Sequence, residues 1–312
     1  MTALPSRVHF NEVVARDGLQ NEARFVPTAD KIALVDALSD CGFARIEVTA
    51  FVSPKAIPPL ADAQEVMQGI RRQTGVCYAV LVPNARGAAR ALDARADALN
   101  FVLSASESHN QSNLRMPRER SLAALAEVLA VTAGQAEVQV SISTAFGCPM
   151  EGAVDAQEVL RLAARIAGLG AGAVRALTLC DTTGMAHPAQ VTQLVALLRA
   201  RLPQLALTLH FHDTRGMALA NMLAGLQAGV TRFDAALGGL GGCPYAPGAS
   251  GNACTEDAVH MFAAMGLDTG VDLARLLPVS RRLPELVGHA IHSQVARAGP
   301  LHTRHPAPAH LA

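Results

Sequence analysis

The sequence predicts an α/β chain in which eight parallel strands, each followed by a helix, close as a (β/α)8 TIM barrel with additional C-terminal helices. Three observations carry that expectation. Short β-rich runs alternate with longer Ala/Leu-rich stretches throughout, the pattern of a parallel sheet with helices outside it. Several of those runs, such as A-L-N-F-V-L-S at 98–104, are nearly all apolar, as strands covered on both faces are. The length of 312 residues fits one barrel of about 250 residues with a C-terminal addition. An open doubly wound sheet is the competing arrangement of the same units.

Strands are expected at 7–14, 44–50, 76–82, 98–104, 136–144, 174–180, 205–211 and 231–236. Helices are expected near 28–41, 60–72, 86–95, 118–133, 155–169, 188–201, 216–228 and 254–266. Thr28 and Asp155 read as N-caps, Pro117 and Pro188 suit first-turn positions, and Gly42 and Gly229 follow helices as C-caps. Residues 1–270 are expected to form the barrel and 271–298 a helical extension packed on it. A disordered tail is expected over 299–312, which holds three prolines and three histidines.

Half the residues are hydrophobic, and 26 basic side chains balance 26 acidic ones. No net field therefore favours nucleic acid or an anionic membrane as a partner. The six cysteines (Cys41, Cys77, Cys148, Cys180, Cys243, Cys254) form no C-x-x-C pair and read as free thiols of a reducing compartment. No secretory leader precedes the first strand pattern and no apolar run reaches the roughly 18 residues of a membrane span. The expectation is a cytoplasmic protein.

Active sites of such barrels form at the C-terminal ends of the strands, and polar residues gather at those positions. Arg16-Asp17-Gly18 ends strand one, Glu47 and Thr49 stand in strand two, and strand four runs into Ser104, Ser106 and Glu107. Strand six ends at Asp181-Thr182, strand seven at His210-Phe211-His212-Asp213, and G-L-G-G-C-P-Y-A-P-G-A-S-G-N follows strand eight at 239–252. Strand residues two apart share a face, so His210 and His212 can meet one cation. Asp17 can add a carboxylate oxygen and Asn252 an amide oxygen, a donor set that suits Mg2+, Mn2+ or Zn2+. An H-x-H taken alone is more often two packed or surface histidines; its place opposite an Arg-Asp pair argues for ligation.

Arg16 and Asp17 could be an ordinary ion pair, and neighbours in a strand point apart unless a turn at Gly18 relaxes the geometry. The planar fork of Arg16 suits a developing enolate or carboxylate oxygen. Glu47 could pair with an arginine lower in the barrel, but its place near a strand end favours holding Arg16 or a ligand in orientation. Cys41, Cys77 and Cys254 read as small buried hydrophobes. Cys243 differs because it lies in the glycine-dense loop, where a thiol can move a proton beside a reacting carbon.

With these residues in place, the chain resembles the 3-hydroxy-3-methylglutaryl-CoA lyase family of TIM-barrel enzymes. The likeness lies in an ordered series: R-D-G-L-Q-N-E at 16–22, I-E-V-T-A-F-V-S-P-K at 46–55, G-C-P at 147–149, H-F-H-D-T at 210–214 and the loop at 239–252. The resemblance implies a divalent metal, Mg2+ or Mn2+, held by Asp17, His210, His212 and Asn252, with no organic cofactor. It implies that Arg16 polarises the thioester oxygen, that Glu47 supports the site, that Gln20 and Thr182 meet the substrate, and that Cys243 is a mobile proton donor. The implied reaction is retro-Claisen cleavage of 3-hydroxy-3-methylglutaryl-CoA to acetyl-CoA and acetoacetate, with His210 or a water as the base. An acyl-CoA is then the small-molecule partner, with a homodimer or homotetramer as the assembly. Three departures stand out: Ala23 where the family commonly has a lysine after Q-N-E, Gln294 in place of an expected lysine, and S-A-S-E-S-H-N-Q-S-N after strand four. They leave open a paralogue cleaving a related 3-hydroxy-acyl-CoA. A Claisen-condensing acyltransferase of the isopropylmalate synthase type shares the barrel and the H-x-H, but carries a further C-terminal region. A non-catalytic acyl-CoA-binding or metal-binding barrel is the third reading.

Overall fold

A computed structural model describes residues 4–242 and 251–304. Eight parallel strands close on themselves in sequence order, β1 pairing with β8. They are β1 (His9–Glu12), β2 (Arg45–Ala50), β3 (Cys77–Val82), β4 (Ala98–Ser104), β5 (Glu137–Ser143), β6 (Ala176–Asp181), β7 (Ala206–Phe211) and β8 (Arg232–Ala235). Around them run α1 (Thr28–Ser39), α2 (Ala63–Gly69), α3 (Ala85–Asp93), α4 (Glu107–Leu114), α5 (Arg118–Thr132), α6 (Ala156–Gly168), α7 (Pro188–Arg201), α8 (Ala218–Gln227) and α9 (Thr255–Ala264). All eight expected strands and eight expected helices are present, which excludes the open sheet. The additional helix α4 lies in the polar S-A-S-E-S-H-N-Q-S-N stretch, where apolar periodicity gave no signal; the Ser106 hydroxyl caps it by accepting from His109 N at 3.1 Å.

Helix punctuation holds with two corrections, the first being that Pro117 stands at the N-cap of α5, one residue before its first turn. Asp155 caps α6 through Gln157 N at 3.0 Å, and Pro188 opens α7. Gly42 and Gly229 both take φ of +91° just past α1 and α8, the left-handed conformation that lets a helix stop. Thr28 is not an N-cap: Pro27 holds that position, and the Thr28 hydroxyl instead donates to Asp62 at 2.8 Å.

The strands alternate rather than being apolar on both faces. On β4, Leu99, Phe101 and Leu103 face the helices within the hydrophobic core. Asn100 on the same strand reaches Glu47 of β2, two strands away, and accepts from Ser141 of β5 at 2.8 Å. Such bonds are possible only across the barrel interior. The apolar core is therefore an annulus between strands and helices, exemplified by Phe10, Phe233 and Phe262 with ring centroids 5.4–6.3 Å apart. Polar side chains line much of the inside, where barrels commonly stack branched aliphatic ones.

After α9 come α10 (Leu273–Ser280), α11 (Leu283–Val287) and α12 (Gln294–Ala298). Two acidic residues in the first turn of α9 tie these elements down. Buried Glu256 accepts from Gly238 N at 2.8 Å and from the Ser280 hydroxyl, while Asp257 accepts from Gln294 N and Val295 N at 3.0 and 2.8 Å, capping α12. His292 N donates to Gly238 O at 2.9 Å, so the extension braces the start of the loop that follows β8. Gly299–Arg304 continue with Leu301 N on His260 at 3.0 Å. Among the described residues no helix is long and apolar enough to cross a membrane.

Candidate active site

The chain reaches the C-terminal rim of the barrel from three directions. After β1 it winds into a wide π-helical turn, Val14–Gly18, in which the amides of Arg16, Asp17 and Gly18 all turn back to Val13 O. That turn, rather than strand geometry, lets the neighbours Arg16 and Asp17 face one site. A Cβ on Gly18 would stand 2.8 Å from a Val14 methyl, so the winding requires glycine there. β7 supplies His210, and His212 follows just beyond its end. Residues 251–254 return beside β7, with Ala253 N on Phe211 O at 2.9 Å and Asp213 N on Gly251 O at 2.9 Å, which bridges Asn252 to His212.

Asp17, His210 and His212 are buried and bring one potential ligand atom each within 4.8 Å of one another. Both Nε2 atoms face Asp17 Oδ2, at 3.8 and 3.9 Å. Asn252 Nδ2 donates to that oxygen at 2.7 Å, and Asn252 Oδ1 is buried without a partner among the described residues. Burial alone would raise the Asp17 pKa, but Arg16, His210, His212 and the Asn252 amide outweigh it and hold the carboxyl at about 2. For His212, burial and then His210 overcome the pull of Asp17, leaving the imidazole at about 4 and neutral. For His210, burial is outweighed by Asp234 and Asp17, and its pKa is raised.

Arg16, 7% exposed, donates through Nε to Glu47 Oε1 at 2.8 Å, through a terminal nitrogen to Glu47 Oε2 at 3.3 Å, and through the other to Asp17. Glu47 in turn accepts from Asn100 Nδ2 at 3.3 and 3.4 Å. Gln20 donates to Asp17 Oδ1 at 2.6 Å, so its amide is turned into the cluster. Thr182, just past β6, accepts from Thr144 N at 2.9 Å and bonds the neighbouring loop. Cys243 lies outside the described residues. Chemically the arrangement is a cation-ready set of one carboxylate, two imidazoles and an amide, beside a guanidinium fixed in a known plane.

Buried polar groups are almost always satisfied; among the described residues two exceptions, Arg72 Nη1 after α2 and Asn221 Oδ1 on α8, lie apart, but six gather at the barrel mouth. Thr49 Oγ1, Asp181 Oδ2, Thr183 Oγ1, His212 Nδ1, Thr214 Oγ1 and Asn252 Oδ1 have no partner among the described residues. Five stand at or just beyond the C-terminal ends of β2, β6 and β7, and Asn252 is bridged to His212 beside them. The orphan oxygen of Asn252 and the two imidazoles fit a divalent cation. Sequence reasoning passed over Asp234, Asn11, Asn100 and Ser141, the partners behind these groups. Reading β4 and β8 with a period of two would have exposed Asn100 and Asp234 as polar members of an inward row.

The HMGL-like family model matches residues 7–283. The chain belongs to the HMGL-like family. It is 45% identical over 291 residues to the hydroxymethylglutaryl-CoA lyase YngG of Bacillus subtilis, covering 93% of this chain and 96% of that protein. It is 41% identical over 297 residues to the mitochondrial hydroxymethylglutaryl-CoA lyase of Gallus gallus, covering 95% and 99%. Among solved structures, an HMG-CoA lyase from Acinetobacter baumannii in complex with coenzyme A and 3-methylmalate is similar at a TM-score of 0.93 and 48% identity, over 99% of this chain and 100% of that one. The carboxyl transferase domain of Rhizobium etli pyruvate carboxylase, at 19% identity and a TM-score of 0.68, shares the fold alone. Within the HMGL-like family, the mouth of this barrel carries both the acidic–imidazole cluster and the buried arginine.

Proposed function

We propose that this HMGL-like chain is a carbon–carbon lyase that splits 3-hydroxy-3-methylglutaryl-CoA into acetyl-CoA and acetoacetate at the C-terminal mouth of the barrel. The observation that carries the reading is the buried Arg16, clamped by Glu47 and set directly against the Asp17–His210–His212 cluster. Lyases at 40–45% identity over nearly the whole chain support the substrate.

Asp17, His210, His212 and Asn252 would hold the divalent cation, proposed to be Mg2+ or Mn2+. When bound it would supply Lewis acidity beside the substrate's 3-hydroxyl. His210, or a water beside it, takes that proton. The C2–C3 bond then breaks, its electron pair passing to C2 and the thioester carbonyl, and the C3 hydroxyl oxygen becoming the ketone of acetoacetate. Arg16 stabilises the thioester enolate oxygen, because its fork is pre-oriented by Glu47 and needs no rearrangement as charge develops. Cys243 is assigned the proton delivered to C2. Gln20 and Thr182 are proposed to meet the substrate, and the free thiols fit a cytoplasmic setting. A homodimer or homotetramer is the proposed assembly.

The deciding experiment measures acetoacetate from 3-hydroxy-3-methylglutaryl-CoA with Mg2+, with Mn2+ and after exhaustive chelation. Metal-dependent acetoacetate is expected. CoA release from acetyl-CoA and a 2-oxo acid, with no cleavage, would overturn the lyase in favour of a condensing enzyme.

A further inference from the structure

The two imidazoles of the cluster are held in different ways. His210, Asp234 and Asn11 stand in one row of the barrel, since Asp234 of β8 is paired in register with His210 on β7 and with Asn11 on β1. Asn11 Nδ2 donates to Asp234 Oδ1 at 2.7 Å, and Asp234 Oδ2 lies 3.3 Å from His210 Nδ1. Both Asp234 and His210 are buried. A carboxylate can only accept, so this bond requires the proton of His210 on Nδ1. The lone pair is then on Nε2, the nitrogen turned to Asp17 Oδ2. His212 offers Nε2 to the same oxygen, yet its Nδ1 is buried with no partner among the described residues. Among the described residues nothing comparable fixes its tautomer.

We propose that Asp234, anchored by Asn11, is a positioning residue that sets the tautomer and ring plane of His210 for cation binding, making His210 the pre-set imidazole ligand and His212 the one that adjusts. The proposal deepens the metal-centre reading above and rests on it. A ligand ring already in its bound orientation loses no rotational freedom when the cation arrives, and the carboxylate raises the basicity of the coordinating nitrogen. Among the described residues no carboxylate or carbonyl places a like constraint on the His212 ring. The same bond engages one His210 nitrogen and the cation would take the other, so of the two candidate bases the water, not His210, would accept the hydroxyl proton.

The test titrates Mn2+ into the metal-free chain by electron paramagnetic resonance, with circular dichroism as the check of folding. Asp234→Asn is expected to bind Mn2+ about 10- to 100-fold more weakly, and Asn11→Ala to weaken binding less but in the same direction. Unchanged affinity in Asp234→Asn, alongside weakened affinity in His210→Ala, overturns the proposal and leaves the metal centre standing. Unchanged affinity in His210→Ala removes the metal-centre reading and this one with it. Should Asp234→Asn fail to fold, a folded Asn11→Ala with undiminished affinity overturns the proposal. Histidine-labelled NMR of the unaltered chain adds a readout that a merely structural role would not move: a His210 proton on Nδ1 is expected, and one on Nε2 refutes it.

Discussion

Replacing Glu47 tests how the guanidinium at the mouth is held. Glu47 accepts two Arg16 nitrogens, at 2.8 and 3.3 Å, and both residues are nearly excluded from water, at 5% and 7% exposure. Each charge-assisted bond is worth about 1.5–3 kcal/mol, and the Asn100 amide that also reaches Glu47 adds about 1–3 kcal/mol when left without an acceptor. Asp17 still holds the third Arg16 nitrogen, so Arg16 is not stranded. Glu47→Ala is therefore expected at the low end of that sum, about 4–5 kcal/mol, within the range for breaking a buried ion pair. Glu47→Gln keeps volume and one acceptor, and is expected to cost about 1–2 kcal/mol, the difference between charged and neutral bonds. Urea unfolding at neutral pH gives both values, and steady-state cleavage gives the companion result, a fall in kcat because the fork loses its plane. A Glu47→Ala protein with unaltered unfolding midpoint and unaltered kcat would refute the account of Arg16.

Burial raises the Glu12 carboxyl to about 8 against an ordinary 4.5, over the opposing hydrogen bonds from Thr255, Leu237 and Val14. The folded chain thus binds a proton that the unfolded chain has released, so stability falls as pH climbs from 4.5 towards 8; urea midpoints of Glu12→Gln should lose that slope, and an equal slope in both proteins contradicts it. Gly251 has φ of +105°, and an added Cβ would sit 2.1 Å from Gly239 O; Gly251→Ala should cost at least about 2 kcal/mol and weaken Mn2+ binding by displacing Asn252, whereas wild-type affinity would detach Asn252 from the cluster. His212→Ala should lose Mn2+ affinity by calorimetric titration, and retention of it would contradict a ligand role. Cys243→Ala should lower cleavage turnover strongly while metal binding stays near normal; undiminished turnover removes the thiol from the reaction.

The barrel was legible because β-rich and helical periods alternate without interruption, and each expected strand lies where that alternation puts it. Asp17, His210 and His212 were legible for a related reason. A side chain placed at the end of a barrel strand has one destination, and the i, i+2 spacing of the imidazoles fixes their common face. The route of Asp17 was not: no period-two or helical pattern announces the turn at Val14–Gly18, which is built from three amides sharing Val13 O. Nor were the supporting residues. Asn100, Asp234 and Asn11 each sit in a short run whose neighbours are apolar or charged for other reasons, and their partners lie 53, 24 and 223 residues away. Only closure of the barrel brings such pairs together. Helix α4 escaped because its stability comes from a serine cap and the Ser104–His109 contact rather than from an apolar stripe.

The division between an oily outer shell and a hydrogen-bonded lumen has a consequence for how this scaffold can change. Apolar cohesion resides where Leu99, Phe101 and their like meet the helices, whereas the lumen is held by hydrogen bonds and ion pairs such as those joining Arg16, Glu47 and Asn100. Exchanging one polar lumen residue for another therefore alters the electrostatics felt at the rim without opening a void in the oily shell.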